Sequence, residues 1–214
     1  MNTQQGRLIT LEGGDGVGKT THIELLDTYL TEQGISVLTT REPGGTALGE
    51  ALRKVLLRDE LECGAEAEMM VLFAARTQHL HAVLRPAIAR GQWVLCDRFT
   101  DATFAYQGGG RGIPFERIAR LETFVQEEFQ PDLTLLLDLP INEGLTRAIE
   151  RGGRADRFEK QDLAFKERIR QSYLRRQRDH PRRIQCVDAG GSVDEIQTTL
   201  QHHIQALLKS DTNP

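Results

Sequence analysis

The sequence predicts an α/β fold: a five-stranded parallel sheet sandwiched by helices, in a single domain over residues 1–214. Three observations point there. Five short apolar runs alternate with longer stretches of helical spacing. The runs are almost continuously apolar instead of alternating, as strands covered on both faces should be. The first run ends in a glycine-studded turn that leads straight into a helical pattern. Parallel strands joined through helices imply right-handed crossovers.

In order, RLITLE (7–12) is the first strand. KTTHIELLDTYLTEQG then sets Ile23, Leu26 and Leu30 on one face and closes on Gly34, which suits a left-handed helix cap. SVLTT (36–40) is the second strand. A long helix is expected over 66–90, with Pro86 either starting a new turn or kinking it. QWVLCD (92–97) follows as a strand. Residues 114–128 form a helix with proline at the first helical position and an apolar stripe of Phe115, Ile118, Leu121 and Phe124. DLTLLLDL (132–139) and RRIQCVD (182–188) complete the sheet, and the final DTNP is expected to fray.

Composition narrows the classes. Hydrophobic residues at 39% and charged residues at 27% match soluble globular domains, against disorder or a fibrous chain. A net charge of -4 argues against nonspecific nucleic-acid binding as the main task. Cys63, Cys96 and Cys186 lie far apart without CxxC spacing, as buried or incidental thiols of a reducing compartment do. The polar opening MNTQQGR runs into a strand and no apolar run is long enough to span a bilayer, so a cytoplasmic location without a membrane partner is expected.

LEGGDGVGKTT (11–21) carries the chemistry. It matches GxxxxGK[ST] as Gly13, Gly18, Lys19 and Thr20, after a strand and before a helix, which is the context the motif needs and gives the P-loop NTPase fold. Backbone N–H groups of Gly13, Gly14, Asp15, Gly16, Val17 and Gly18 can turn inward around an anion. Lys19 reaches the outer phosphates of a nucleoside triphosphate, and Thr20 can ligate Mg2+. No NKxD guanine reader is present, and DAGG (188–191) lies too late for a GTPase switch, so it reads as the turn after the last strand. The chain is short for a motor or transporter subunit, which leaves a kinase for a small acceptor. Asp97 ends the third strand at the crevice where α/β sheets bind ligands, suited to orient magnesium directly or through water, with Arg98 on the acceptor phosphate.

TREPGGTALGEALR (40–53), LFAAR (72–76), DRF (97–99) and AYQGGGRG (105–112), in this order after the phosphate loop, resemble the thymidylate kinase family, whose members phosphorylate dTMP to dTDP. The resemblance covers nearly the whole chain. It implies Pro43 near the thymine methyl, Arg53 as a second phosphate-binding arginine, Phe73 stacked on thymine and Arg76 on its exocyclic oxygen. It also implies Tyr106 near the 2′ carbon of the sugar, Thr103 and Gln107 near the base, and Asp15 receiving the 3′-hydroxyl. A homodimer paired through helices outside the site is implied as well. Ala102 and Phe99 depart from the commoner serine and tyrosine.

Some members carry an arginine inside the phosphate loop; here Asp15 is followed by Gly16 and Val17, so the charge must come from elsewhere. RGGRADRFE (151–159) suits a mobile lid, at about 150–160, that closes over ATP, and it resembles the lid of the bacterial-type enzymes. Arg154 is the first choice among Arg151, Arg154 and Arg157, because Gly153 and Ala155 would let it fold inward, whereas Arg157 is expected to pair with Asp156 or Glu159. The second basic run, YLRRQRDHPRR (173–183), reads as mainly a solvated helix face. A kinase for another small acceptor and a regulatory nucleotide switch remain the rival readings.

Overall fold

The computed structural model describes residues 5–58, 62–152 and 157–210. Five parallel strands make one sheet in the order β2-β3-β1-β4-β5. They are β1 (Leu8–Gly13), β2 (Val37–Arg41), β3 (Trp93–Asp97), β4 (Leu133–Asp138) and β5 (Ile184–Asp188). β1 is central because its side chains, buried on both faces, have no solvent side to offer. β2 and β5 are the edge strands and stay half-open, so the predicted two-sided burial is incomplete there. The register pairs Leu11 with Asp97, Arg41 with Asp97, Gly13 with Leu137, and Asp138 with Asp188. The carboxyl ends therefore finish level, and the chain reverses sheet direction on either side of β1, where α/β sheets open a crevice.

The described helices are α1 (Lys19–Glu32), α2 (Ala47–Leu56), α3 (Ala65–His79), α4 (Arg85–Ala89), α5 (Thr100–Thr103), α6 (Phe115–Gln126), α7 (Ile141–Arg151), α8 (Leu163–Asp179) and α9 (Val193–Ser210). One face of the sheet is dry. Ile9, Leu11, Leu135 and Leu137 alternate inward against Ile23, Leu26 and Leu30 of α1 and Ile196, Leu200 and Ile204 of α9. Leu26 is fully buried there, and its truncation to alanine would cost about 2–5 kcal/mol. The opposite face of β1 presents Thr10 and Glu12, both fully buried. Thr10 is hydrogen-bonded to Thr134 of β4 at 2.8 Å.

Several local expectations meet different outcomes. Gly34 is left-handed at φ 75, as a helix stop requires. The expected helix over 66–90 runs without a break from Ala65 to Ala89, as α3, a π-helical turn at Leu80–Leu84, and α4. Pro86 lacks the N–H that an α-helical ladder would use, and the wider turn lies just before it. Pro114 caps α6 from outside, and the core stripe runs through Ile118, Leu121 and Val125, leaving Phe124 83% exposed. A second π-helical segment, Phe104–Gly110, extends α5. The DTNP terminus and Arg154 lie outside the described residues.

Candidate active site

The phosphate loop leaves β1 at Gly13 and enters α1 at Lys19. Gly13, Gly16 and Gly18 have φ of 138, 72 and 90, so the turn is one that glycine makes without strain. Val17 points into the core at 3% exposure and anchors the loop. Gly16 meets the backbone of α7: a Cβ there would sit 2.0 Å from the carbonyl oxygen of Gly144. Lys19 donates from Nζ to the carbonyls of Gly13 at 3.2 Å and Gly14 at 2.7 Å, spanning the ring of the loop. Burial, then the neighbouring Arg98 charge, lower its ammonium to about 8 against the pull of Asp97, Asp15 and Glu12. An under-compensated cation in such a loop gains from an arriving anion.

Thr20 and Asp97 line one cavity between α1 and β2. Asp97 Oδ1 is buried with no hydrogen-bond partner among the described residues, an oxygen left over for a cation or its water. No group of three or more His, Cys, Asp or Glu side chains gathers among the described residues. The protein offers a hydroxyl and one carboxylate, which fits magnesium, an ion that keeps waters and substrate phosphates around itself.

A second cavity, about 690 Å³ including space open to solvent, adjoins the loop. Asp15, Pro43, Arg53, Arg76, Arg98, Thr103, Tyr106 and Gln107 all line it, so the sequence-predicted acceptor residues converge. Ala102 and Phe99, the two departures, line it too and bring no hydroxyl. Phe73 is the exception: it is 2% exposed and packs with Phe104 and Ile118, while its neighbour Leu72 faces the cavity. The Phe73 ring instead carries the Arg76 guanidinium at 5.0 Å.

Arg98 forms the phosphate-loop side. Its Nη1 donates to the Gly13 carbonyl at 2.9 Å and to the Tyr173 hydroxyl at 3.0 Å, and its guanidinium lies 4.8 Å from the Tyr106 ring centre. Burial alone would lower its pKa, but the facing tyrosines and the carboxylates of Asp97 and Asp15 raise it well above the ordinary value and keep it charged. Burial would likewise raise Asp15, yet Arg98, Lys19 and Lys166 outweigh it and hold the carboxyl below its usual value. Asp15 is thus an ionised acceptor. Arg53 reaches back to the Pro43 carbonyl at 3.1 Å, across the cis Glu42–Pro43 turn.

Arg76 lines the cavity and is held by two hydrogen bonds, one of them to a carboxylate that is itself braced. Nε donates to Glu42 Oε2 at 2.7 Å, Nη2 to Thr103 Oγ1 at 3.1 Å, and Glu42 Oε1 is bonded to His79 Nδ1 at 2.9 Å. Its Nη1 is buried and has no partner among the described residues. Gln107 turns its amide N–H to Glu68 at 2.8 Å.

Reasoning from sequence missed the supports. Fully buried Glu68 accepts from Gln107, from Arg111 at 3.3 Å and from Arg157 at 2.6 Å. Arg157 also donates to the Leu56 carbonyl at 3.0 Å, so its described partners are not the neighbouring carboxylates expected of it: the side chain crosses to the acceptor side of the cleft. Phe158 follows it into the cavity wall. The basic run after 173 is largely exposed, with Arg175, Arg178 and Arg182 facing solvent, but it has a buried side that sequence did not show. Tyr173 and Arg176 are buried, and Arg176 and Arg183 both bind buried Asp101, at 2.9 and 2.6 Å, because one carboxylate beneath α8 draws two guanidinium groups inward. Lys166 on α8 reaches Asp15 at 3.4 Å and the Glu159 carbonyl at 2.7 Å. The available signal was spacing: Lys166, Arg170 and Tyr173 share a helix face with Phe165 and Ile169.

A thymidylate kinase family model matches residues 11–200. The thymidylate kinase of Pseudomonas syringae pv. tomato is 52% identical over 205 residues, covering 95% of this chain and 97% of that protein. The thymidylate kinase of Nitrosospira multiformis is 49% identical over 203 residues, covering 95% and 98%. The crystal structure of thymidylate kinase from Ehrlichia chaffeensis superposes with a TM-score of 0.78 at 30% identity, over 94% of this chain and 99% of that one. With the phosphate loop, the adjoining cavity and these likenesses in agreement, the chain belongs to the thymidylate kinase family, the P-loop phosphotransferases that make dTDP from dTMP.

Proposed function

We infer that this chain transfers the γ-phosphoryl group of ATP to dTMP, with dTMP in the cavity beside the phosphate loop. The observation that carries the reading is the two-ended cationic character of that cavity. Arg98 lines it beside the loop, Arg53 lines it from beside Pro43, and Arg76 adds a buried N–H donor that has no partner among the described residues. The first two suit the acceptor phosphate and the last a carbonyl oxygen on the base. Pro43, Leu72 and Phe99 supply flat apolar walls for a methylated pyrimidine, Thr103 and Gln107 flank the base, Tyr106 lies against the sugar, and ionised Asp15 accepts from the 3′-hydroxyl. Phe73 acts from behind, by setting the plane of Arg76.

Transfer then needs position and charge, without a covalent intermediate. Lys19 moves from the loop carbonyls onto the outer phosphates of ATP, while Arg98 holds the attacking phosphate oxygen in line. Thr20 and Asp97 would hold Mg2+, which when bound would neutralise phosphate charge. Arg154, from the lid, supplies the cation that the loop lacks, and lid closure keeps water from the phosphoryl group. Met70 of α3 and Phe124 of α6 are 54% and 83% exposed, apolar surface of the kind that a homodimer would cover, in a cytoplasmic enzyme. An acceptor screen with ATP and magnesium, read by ADP release, tests the reading. Turnover should be fastest with dTMP; preference for another monophosphate, or slow hydrolysis indifferent to the acceptor, would overturn it.

A further inference from the structure

A carboxylate buried inside a sheet is costly unless its oxygens are satisfied. Glu12 of β1 is 0% exposed, and both of its oxygens are engaged. Oε1 accepts the backbone N–H of Phe99 at 2.7 Å, and Oε2 accepts the Tyr173 hydroxyl at 2.7 Å. That hydroxyl in turn accepts from Arg98 Nη1 at 3.0 Å. Arg98 itself stands at φ 69, a left-handed conformation that costs a residue with a side chain about 1–3 kcal/mol and persists only where the surroundings impose it. Its own N–H is fixed to the Leu11 carbonyl at 3.0 Å. The peptide groups on both sides of the strained residue are therefore tied to β1, and the tip of its side chain is tied to α8.

We propose that Glu12 and Tyr173 are positioning residues for Arg98, a carboxylate–phenol pair that imposes its left-handed turn and aims its guanidinium at the acceptor phosphate. Neither residue lines the acceptor cavity, and the hydrogen bonds that lead from them to it run through Arg98 and the Phe99 N–H that follows it. Without the carboxylate, the Phe99 N–H loses its partner and the turn has less to hold it. Without the phenol, Nη1 keeps only the Gly13 carbonyl and is free to swing with the loop. The inference rests on the assignment of Arg98 to the acceptor phosphate.

Steady-state kinetics on Tyr173→Phe, Arg98→Ala and the double variant, with dTMP and ATP varied separately, test it alongside thermal melts. Tyr173→Phe should lower kcat/KM for dTMP about 10- to 100-fold, the weight of one hydrogen bond to a charged group, and leave KM for ATP within about twofold. Added to Arg98→Ala, it should cost no more than about twofold further, because its only route to the substrate is already gone. A residue that merely braces the phosphate loop would instead raise KM for ATP and add its full loss in the double variant; either result, or a normal Tyr173→Phe enzyme, overturns the proposal. Normal kinetics of Arg98→Ala would instead sink the assignment on which it rests. Should Tyr173→Phe not fold, Glu12→Gln replaces it. The introduced amide keeps an oxygen for the Phe99 N–H but turns a donor toward the phenol, and the variant should show the same dTMP-specific, non-additive loss. An additive loss or none would again overturn the proposal.

Discussion

Replacing Arg76 with methionine separates what this arginine does for the fold from what it does for the acceptor. Arg76 and Glu42 are 2% and 5% exposed and joined at 2.7 Å, so the substitution strands a buried carboxylate with only the 2.9 Å bond to His79. Breaking a buried pair from one side costs about 3–5 kcal/mol. In a chain of this size that lowers the melting temperature by about 6–20 °C. The same change removes the Nη1 donor, the group assigned to the base. A hydrogen bond from a charged donor is worth about 1.5–3 kcal/mol, hence a loss of roughly 10- to 150-fold in kcat/KM for dTMP. Thermal denaturation and steady-state kinetics read the two effects independently. Adding Glu42→Gln should recover much of the lost stability, since the stranded carboxylate becomes a neutral amide, and should leave dTMP recognition impaired. If the double variant regained both, or if Arg76→Met kept its kcat/KM for dTMP within about twofold, the arginine would be a strut and the assignment to the base would be wrong.

Lys19→Ala should cut kcat by about three orders of magnitude while the melting curve stays close to wild type, and a folded variant with near-normal turnover would refute its role. Arg154→Ala should reduce kcat by about two to four orders of magnitude with little change in the dTMP dissociation constant. Arg157→Ala, which removes one of the three donors to Glu68 behind Gln107, should weaken dTMP binding more than it lowers kcat. Normal kcat in alanine variants of Arg151, Arg154 and Arg157 alike would exclude the lid as the source of charge. Burial above all, with the Asp101 charge and against Arg98 and Tyr173, raises Glu12 from 4.5 to about 7. The unfolded chain gives up this proton first, so the stability it contributes is complete below about 4.5 and is lost as pH rises through 7. Glutamine cannot titrate. Urea unfolding should show the difference between wild type and Glu12→Gln moving in favour of glutamine by up to about 3 kcal/mol from pH 4.5 to 8, and a difference indifferent to pH would contradict the raised value.

The sheet and the phosphate loop were legible because each is governed by local rules. Apolar runs such as TLLL of β4 have only one way to hide both faces, and the glycines around Lys19 have one geometry that cradles an anion. Gly34 stopped α1 for the same local reason. Where long-range partners decide, sequence was a poor guide. Phe73 reads as a stacking platform from its motif, yet the packing of Phe104 and Ile118 draws it behind Arg76. Arg175, Arg178 and Arg182 are solvated as read, but Arg176 and Arg183 turn inward to Asp101, some 75 or more residues earlier, a partner that no local pattern announces. Glu12 did leave a trace: it is the one charged residue within the buried length of β1.

The backbone contact between Gly16 and Gly144 bears on how a phosphotransferase of this kind can change its source of positive charge. The residue after Asp15 is where an arginine would have to enter the loop, and here that position is left-handed with α7 pressed against it at less than van der Waals distance for any Cβ. An arginine at residue 16 would therefore demand that α7 move, and α7 ends at Arg151, where the proposed lid would begin. Bringing an arginine into position 16 would therefore require coordinated change in two segments separated by more than a hundred residues, and a single substitution there would meet the steric barrier first.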